Sequence, residues 1–397
     1  MQVSKRLDKI GESPTMKVAA KAKQMKAEGH DVVNLSMGEP DFPTPDNIKE
    51  AAKKAIDNNQ TKYTINAGTV ELREAIVKRI KEDYNLDYTI NEIMVSSGAK
   101  HSVFNSIQAI CSEGDEVIIP APYWVSYPHM TSLAQAKSVI IETDEETGFK
   151  ITAAQLKAAI TPSTKALILC NPSNPTGSAY TRAELESIAE VVRENDFYVI
   201  ADEIYDKLVY DGFEFNSFPT FGEDIKMKTI LINGVSKAYS MTGWRVGYTA
   251  APVDVIKGIN KIQSHSTSNA CSIAQAASVE AFAGPQDAVA EMKAKFEERR
   301  NYIHEALNSI DGISAILPEG AFYLFPNVSA LFGKSAGDIT INNSYDLSMY
   351  LLEEGKVATV PGSSFGAEGF IRISYADGLD NLKKAVERIK EATSKLS

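Results

Sequence analysis

Short apolar runs bounded by turn residues recur along much of the chain: Ile93-Met94-Val95, Val117-Ile118-Ile119, Val139-Ile140-Ile141, Ala166-Leu167-Ile168-Leu169, Tyr198-Val199-Ile200 and Ile230-Leu231-Ile232. Runs this short and this rich in β-branched residues predict buried strands. Between several of them lie stretches of helical periodicity, such as residues 99–111 and 181–195. Strands buried along their whole length, alternating with helices, predict a mostly parallel α/β sheet covered on both faces. Nearer the N-terminus, Ser13-Pro14-Thr15 predicts a helix start, with Glu28 as its last residue and Gly29 as its stop. A short strand over Val32–Leu35 then leads into the loop Gly38-Glu39-Pro40-Asp41-Phe42-Pro43. After about residue 285 the pattern changes to a long charged helix over 287–309, followed by shorter strands and helices. The expected organisation is a large α/β domain over 46–285 and a smaller α+β domain built from 1–45 and 286–397.

At 397 residues the chain exceeds the ~250–300 residues at which single cores stop growing, which also favours two domains. Hydrophobic residues at 44% and charged residues at 23% are those of an ordinary globular protein. A net charge of −11 argues against nucleic acid or an anionic membrane as partner, since either favours a basic face. No apolar run approaches the ~20 residues of a membrane span, and the N-terminal charges precede no apolar segment of the kind found in secretory signals. Cys111, Cys170 and Cys271 are widely spaced and fit a reducing cytoplasm better than a disulfide framework. The histidines show no metal-ligand spacing, so no zinc site is expected.

Chemistry concentrates first in residues 233–247, NGVSKAYSMTGWRVG, which follow the run Thr229-Ile230-Leu231-Ile232. A lysine just past a strand can pair with a charge or attack a carbonyl. For attack, Lys237 must lose its proton, which takes a fall of roughly 3 units from a pKa of ~10.4, by burial and neighbouring cations. Arg245 supplies a cation and the glycines a close backbone approach; the same groups suit a phosphate. Lysine, hydroxyl and arginine together point to an aldehyde cofactor that carries a phosphate, namely pyridoxal phosphate.

Four other features fall just beyond predicted strands, where α/β sheets place ligands. Ser97-Gly98-Ala99-Lys100 opens a helix whose free N–H groups suit a phosphate, though glycine before a helix is also common turn chemistry. Asn171-Pro172-Ser173-Asn174-Pro175-Thr176-Gly177 is a rigid loop able to hold an amide in place, or an ordinary Asx turn. Asp202, ending the strand that begins at Tyr198, needs a cation or good donors if buried; a protonated pyridine nitrogen or a structural ion pair would serve. Arg372 alternates with Ile371 and Ile373 in Phe370-Ile371-Arg372-Ile373-Ser374, either as a carboxylate clamp or as an exposed strand residue.

Taken in order, Pro172 to Gly177, Asp202 to Tyr205, Ser236-Lys237 with Arg245, and Arg372 resemble the signature of class I/II aminotransferases, pyridoxal-phosphate enzymes of fold type I. The resemblance covers the chain from about Lys5 to the last helix. Met37-Gly38-Glu39-Pro40-Asp41-Phe42 and Tyr123-Trp124-Val125-Ser126-Tyr127 are most similar to the bacterial aspartate aminotransferase subgroup of thermophilic type. The resemblance implies that Lys237 holds the cofactor covalently and then moves the substrate's proton, and that Asp202 pairs with the ring nitrogen. It implies Tyr205 and Asn174 at the ring's 3-oxygen, Trp124 stacked on the ring, and Gly98, Ala99, Lys100, Ser236 and Arg245 around the phosphate. Tyr63 would reach the phosphate of a partner subunit, which implies a homodimer with shared sites. Arg372 and the Gly38 N–H would take the substrate α-carboxylate.

The implied reaction moves the amino group of L-aspartate to 2-oxoglutarate, with prephenate, aromatic or alanine-type substrates as the alternative and β-elimination a further one. Two departures bear on it. Ser264-His265-Ser266-Thr267-Ser268-Asn269 holds no arginine where animal and enteric enzymes grip the distal carboxylate; the resemblance to the thermophilic-type subgroup implies Lys100, Ser13 and Thr15 for that task. Gly234 stands where relatives often carry a serine, with the expected loss of one phosphate donor. Outside this class, Gly333-Lys334-Ser335 is similar to the tail of a P-loop, but Val328 replaces its first glycine. A DNA-binding regulator on the same fold would need an added domain and a basic patch that the chain lacks.

Overall fold

The computed structural model describes residues 4, 7–8, 10–11 and 14–397. Its centre is a seven-stranded sheet. In spatial order the strands are Ile93–Ser96, Gly247–Ala250, Thr229–Gly234, Tyr198–Asp202, Thr164–Cys170, Glu116–Ala121 and Lys137–Glu142. All the pairings are parallel except the two made by Gly247–Ala250. Alternate residues of each central strand enter different cores. Ile168, Ile200, Ile230 and Ile232 pack with Val103, Ile107 and Ile259. Leu167, Leu169, Val199 and Ala201 pack with Leu185, Ile188 and Val192 on the other face. Burial on both faces is why these strands read as continuous apolar runs.

The covering helices carry their own start signals. Thr181 caps Arg182–Arg193 in a reciprocal box with Glu184. Thr69 Oγ1 accepts from Leu72 N at 3.2 Å at the head of Val70–Tyr84. The strand Gly247–Ala250 was not among those expected, because only Tyr248 and Thr249 in it favour extended structure. Gly247 answers to packing instead: a Cβ there would run into Ala99 and the Gly98 carbonyl carbon.

Beyond residue 285 the long helix is Asp287–Asn308, and a three-stranded sheet joins Val360–Pro361, Ile371–Ser374 and Tyr323–Leu324. The N-terminal segment joins this part: Val33–Asn34 pairs in parallel with Val357–Ala358, and Ser374 N donates to Leu35 O at 2.8 Å. Val18, Ala22 and Met25, from the helix Pro14–Ala27, share a core with Leu352 and Ala358. Gly333-Lys334-Ser335 leads into the small hairpin of Ser335–Ala336 with Ile339–Thr340, not into the helix a P-loop requires.

Candidate active site

Parallel strands deliver their carboxyl ends to one edge of the sheet, and the antiparallel strand begins there, with Gly247 opposite both Ser96 and Gly234. Residues just past 96, 170, 202 and 234, and just before 247, therefore converge. They line a cavity of about 430 Å³ with Gly38, Ala99, Lys100, Trp124, Asn174, Asp202, Tyr205, Ser236, Lys237, Arg245 and Arg372 on its walls. Of the residues expected at the site, Gly98 lies directly behind: a Cβ on it would strike the Arg245 guanidinium. Tyr63 is elsewhere, 93% exposed beside a second cavity. Ser13 and the Thr15 side chain lie outside the described residues.

Lys237 follows the strand Thr229–Gly234, and its Nζ donates to the Gly38 carbonyl. Burial pulls its pKa down to about 8; Arg372 and then Arg245 push the same way, against Glu39 and Asp202. Asp202 is 5% exposed. Tyr127 Oη donates to its Oδ2 at 2.7 Å and Ile204 N approaches Oδ1 at 3.4 Å, while burial raises its pKa. The neighbouring Glu203 points to the opposite face, where Ser217 Oγ (2.6 Å) and Phe218 N (2.8 Å) donate to it. Burial drives its carboxyl up to about 8. Strand alternation thus separates the two acids of Asp202-Glu203 and gives only the first to the cavity.

Arg372 is buried, not an exposed strand residue: Ile371 and Ile373 face the C-terminal core, while the guanidinium lines the cavity. Its Nη1 donates to Asn174 Oδ1 at 3.0 Å and its Nη2 to Ser36 O at 2.8 Å; its buried Nε has no partner. The first of these bonds fixes the Asn174 amide with its NH₂ group free to donate. Lys100 Nζ lies 4.8 Å from the Trp124 ring centroid, and its pKa is lowered by burial and by Arg245.

Loop 38–44 is fastened over this edge. Thr242 Oγ1 donates to Glu39 Oε2 at 2.8 Å, Thr44 Oγ1 to Ser240 O at 2.7 Å and Trp244 Nε1 to Thr44 Oγ1 at 2.9 Å. Arg299 grips Asp41 at 2.7 and 2.9 Å, tying the same loop to the helix Asp287–Asn308.

Gly234 has a packing role that the sequence did not show. It is not on the cavity wall, and a Cβ there would meet Gly247 Cα and Val246 O, each at 2.8 Å. The glycine therefore serves the close contact between the two strands. The sequence also left Tyr127 and Tyr323 without a role, although both line the cavity.

Four cations (Lys100, Lys237, Arg245, Arg372) and two acids (Glu39, Asp202) line the cavity, and among the described residues no carboxylate lies within ion-pair distance of any of the four. Such a wall suits a ligand with two or more negative charges. The amine of lowered pKa, the buried acid and the glycine-backed arginine fit an aldehyde that bears a phosphate and a basic ring. Among the described residues there is no group of three or more His, Cys, Asp or Glu able to hold a metal ion, and no helix is long and apolar enough to cross a membrane.

The architecture is shared with solved structures. The chain matches the crystal structure of an aspartate aminotransferase from Rhizobium meliloti with a TM-score of 0.97 and 44% identity, over 100% of both chains. The α/β body with its mostly parallel sheet is that of the fold type I aminotransferases. At the level of sequence, the profile of the family described as Aminotransferase class I and II matches residues 30–389. The chain belongs to that family, whose members use pyridoxal phosphate. It is 48% identical over 389 residues to an aspartate aminotransferase of Geobacillus stearothermophilus, covering 98% of each. It is 47% identical over 396 residues to a probable aspartate/prephenate aminotransferase of Rickettsia bellii, covering 99% of each.

Proposed function

We propose that this aminotransferase carries the amino group of L-aspartate to 2-oxoglutarate, with pyridoxal phosphate as its cofactor, giving oxaloacetate and L-glutamate. The observation that supports this most is the shared cavity, onto which the Lys237 amine and the Asp202 carboxylate open from adjacent strands. Bound there, pyridoxal phosphate supplies an aldehyde that takes up the amino group and a ring that withdraws electrons from the substrate. Lys237 would hold it, Asp202 would keep its ring nitrogen protonated, and Trp124 would cover a ring face. The helix start at Gly98, Ala99 and Lys100 would hold the phosphate with Ser236 and Arg245. Tyr205 and Asn174, on the side of the cavity next to Arg372, would bind the ring hydroxyl. The Lys237 amine, when not holding the cofactor, would serve as the general base for the proton at the substrate Cα.

Arg372 and Gly38 N would bind the α-carboxylate, and Lys100 the distal one. A lysine is a point charge and not a fork, so it discriminates less sharply among acids. That looseness, the missing arginine at 264–269 and the name of the Rickettsia bellii relative favour prephenate as a second amino acceptor. We also propose a homodimer in which Tyr63 reaches the partner's phosphate. Its support is the exposure of Tyr63 (93%) and Ile65 (59%), far above the usual for large apolar side chains. The domain division at 46–285 is supported by the strand and core contacts that join residues 18–35 to the C-terminal part. A cytoplasmic setting is supported by three free cysteines.

A transamination panel with aspartate, glutamate, tyrosine, alanine and prephenate tests the reading. Fastest turnover with aspartate and 2-oxoglutarate is expected. Turnover of tyrosine or alanine above that of aspartate would overturn the substrate assignment.

A further inference from the structure

We propose that Tyr323 is a positioning residue that acts through Tyr205 and ties it to the carboxylate-binding Arg372; this rests on the cofactor reading above. Tyr323 is 1% exposed and lines the cavity from the strand beside Ile371–Ser374, where it stands opposite Ser374. The Arg372 guanidinium carbon lies 4.5 Å from the Tyr323 ring centroid and 5.1 Å from that of Phe365, so both rings lie against it. The Tyr323 hydroxyl meets the Tyr205 hydroxyl at 2.9 Å. Gly38 makes room for it: a Cβ at Gly38 would stand 2.9 Å from the Tyr323 oxygen.

The direction of that hydrogen bond follows from counting protons. A phenol has one proton to donate. If Tyr205 donates to Tyr323, it has none left for a ligand. If Tyr205 serves the cofactor's ring oxygen, Tyr323 must donate to Tyr205. The chain then runs from Tyr323 to Tyr205 to the ligand, and each donation sharpens the next. A better donor at the ring oxygen stabilises its ionised form and lowers the pH at which the bound cofactor loses its proton. The ring of Tyr323 meanwhile limits the tilt of the Arg372 plane. One side chain from the C-terminal part therefore touches both the group that binds substrate and the group that tunes the cofactor.

The test uses the protein carrying pyridoxal phosphate and reads the pH midpoint of its visible absorption band in wild type, Tyr323→Phe, Tyr205→Phe and the double variant. Tyr323→Phe keeps the ring against Arg372 and removes only the hydroxyl. Its midpoint is expected to rise by about half to one pH unit, the effect of one hydrogen bond. The double variant is expected to match Tyr205→Phe, because Tyr323 acts through that residue. An unchanged midpoint in Tyr323→Phe, or shifts that add in the double variant, overturns the proposal. A wild-type protein with no visible band, or a band of the same kind in Lys237→Ala, is a different failure and overturns the cofactor reading itself.

Discussion

Replacing Asp202 with asparagine separates a functional acid from a structural one, because the two roles predict opposite signs in the cofactor-free protein. Asp202 is 5% exposed, accepts from Tyr127 at 2.7 Å and from Ile204 N at 3.4 Å, and among the described residues has no cation within ion-pair distance. Burying an unpaired carboxylate costs several kcal/mol, of which one good charge-assisted hydrogen bond recovers about 1.5–3 kcal/mol. Asparagine has the same shape, accepts from Ile204 N and donates its NH₂ to the Tyr127 oxygen, since a phenol also accepts. The cofactor-free variant is therefore expected to be more stable than wild type by about 1–3 kcal/mol in urea unfolding at neutral pH. With pyridoxal phosphate present the order is expected to reverse, because on the proposed reading only the carboxylate would pair with a protonated ring nitrogen.

A pH series gives the sign independently. Burial raises the folded-state pKa of Asp202 above the unfolded ~3.9. The folded protein therefore binds the extra proton between the two values, and this group's contribution to stability is lost as pH rises through that window. The variant should lack that component. A cofactor-free Asp202→Asn protein less stable than wild type, with equal stabilisation of both by pyridoxal phosphate, would refute the reasoning and make Asp202 a fold residue.

Three further outcomes follow from the same geometry. The rate at which cofactor-free protein takes up pyridoxal phosphate covalently should climb tenfold per pH unit and level off near the Lys237 pKa of about 8; a rise continuing past ~10 would mean an ordinary lysine. Lys100→Met should raise KM for aspartate and glutamate by about 10–100-fold, the value of one partly shielded charge pair, and leave alanine unchanged in steady-state assays; equal losses for alanine would put the Lys100 ammonium, and not only its backbone N–H, at the phosphate. Gly234→Ser, which a phosphate-binding role would make beneficial, should instead destabilise the protein by about 1–3 kcal/mol through overpacking against Gly247 and Val246, and calorimetry with and without cofactor decides between them.

The central strands were legible because burial on both faces leaves only apolar, β-branched residues in them, as in Ile230, Leu231 and Ile232, whose neighbours divide between two cores. The strand at Gly247–Ala250 was not, because contact with the Gly98–Ala99 helix start selects a glycine where strand propensity would favour bulk. Among site residues, those visible in the sequence are charges or amides in places where burial is costly. Lys237, Asp202, Asn174 and Arg372 stand out for that reason. Tyr127 and Tyr323 are aromatic residues among apolar ones, and a buried ring needs no explanation until its hydroxyl has a partner. Tyr127 carries one faint signal: it lies three residues past Trp124, in the first turn of Ser126–Leu133, and so on nearly the same side of the chain.

Why one edge holds all these groups follows from topology. Residues 98–100, 170–174, 202–205 and 236–245 are far apart in the chain, yet parallel strands can only deposit them together. The groups assigned to the substrate carboxylate have another origin. Gly38 comes from the loop that Arg299 grips, and Arg372 from the sheet that also carries Tyr323. The four cations, none of them in an ion pair among the described residues, repel one another across the cavity, and bringing anions among them removes that repulsion. On the proposed reading a phosphate on the sheet side would satisfy Arg245, and the substrate carboxylate would satisfy Arg372 on the other.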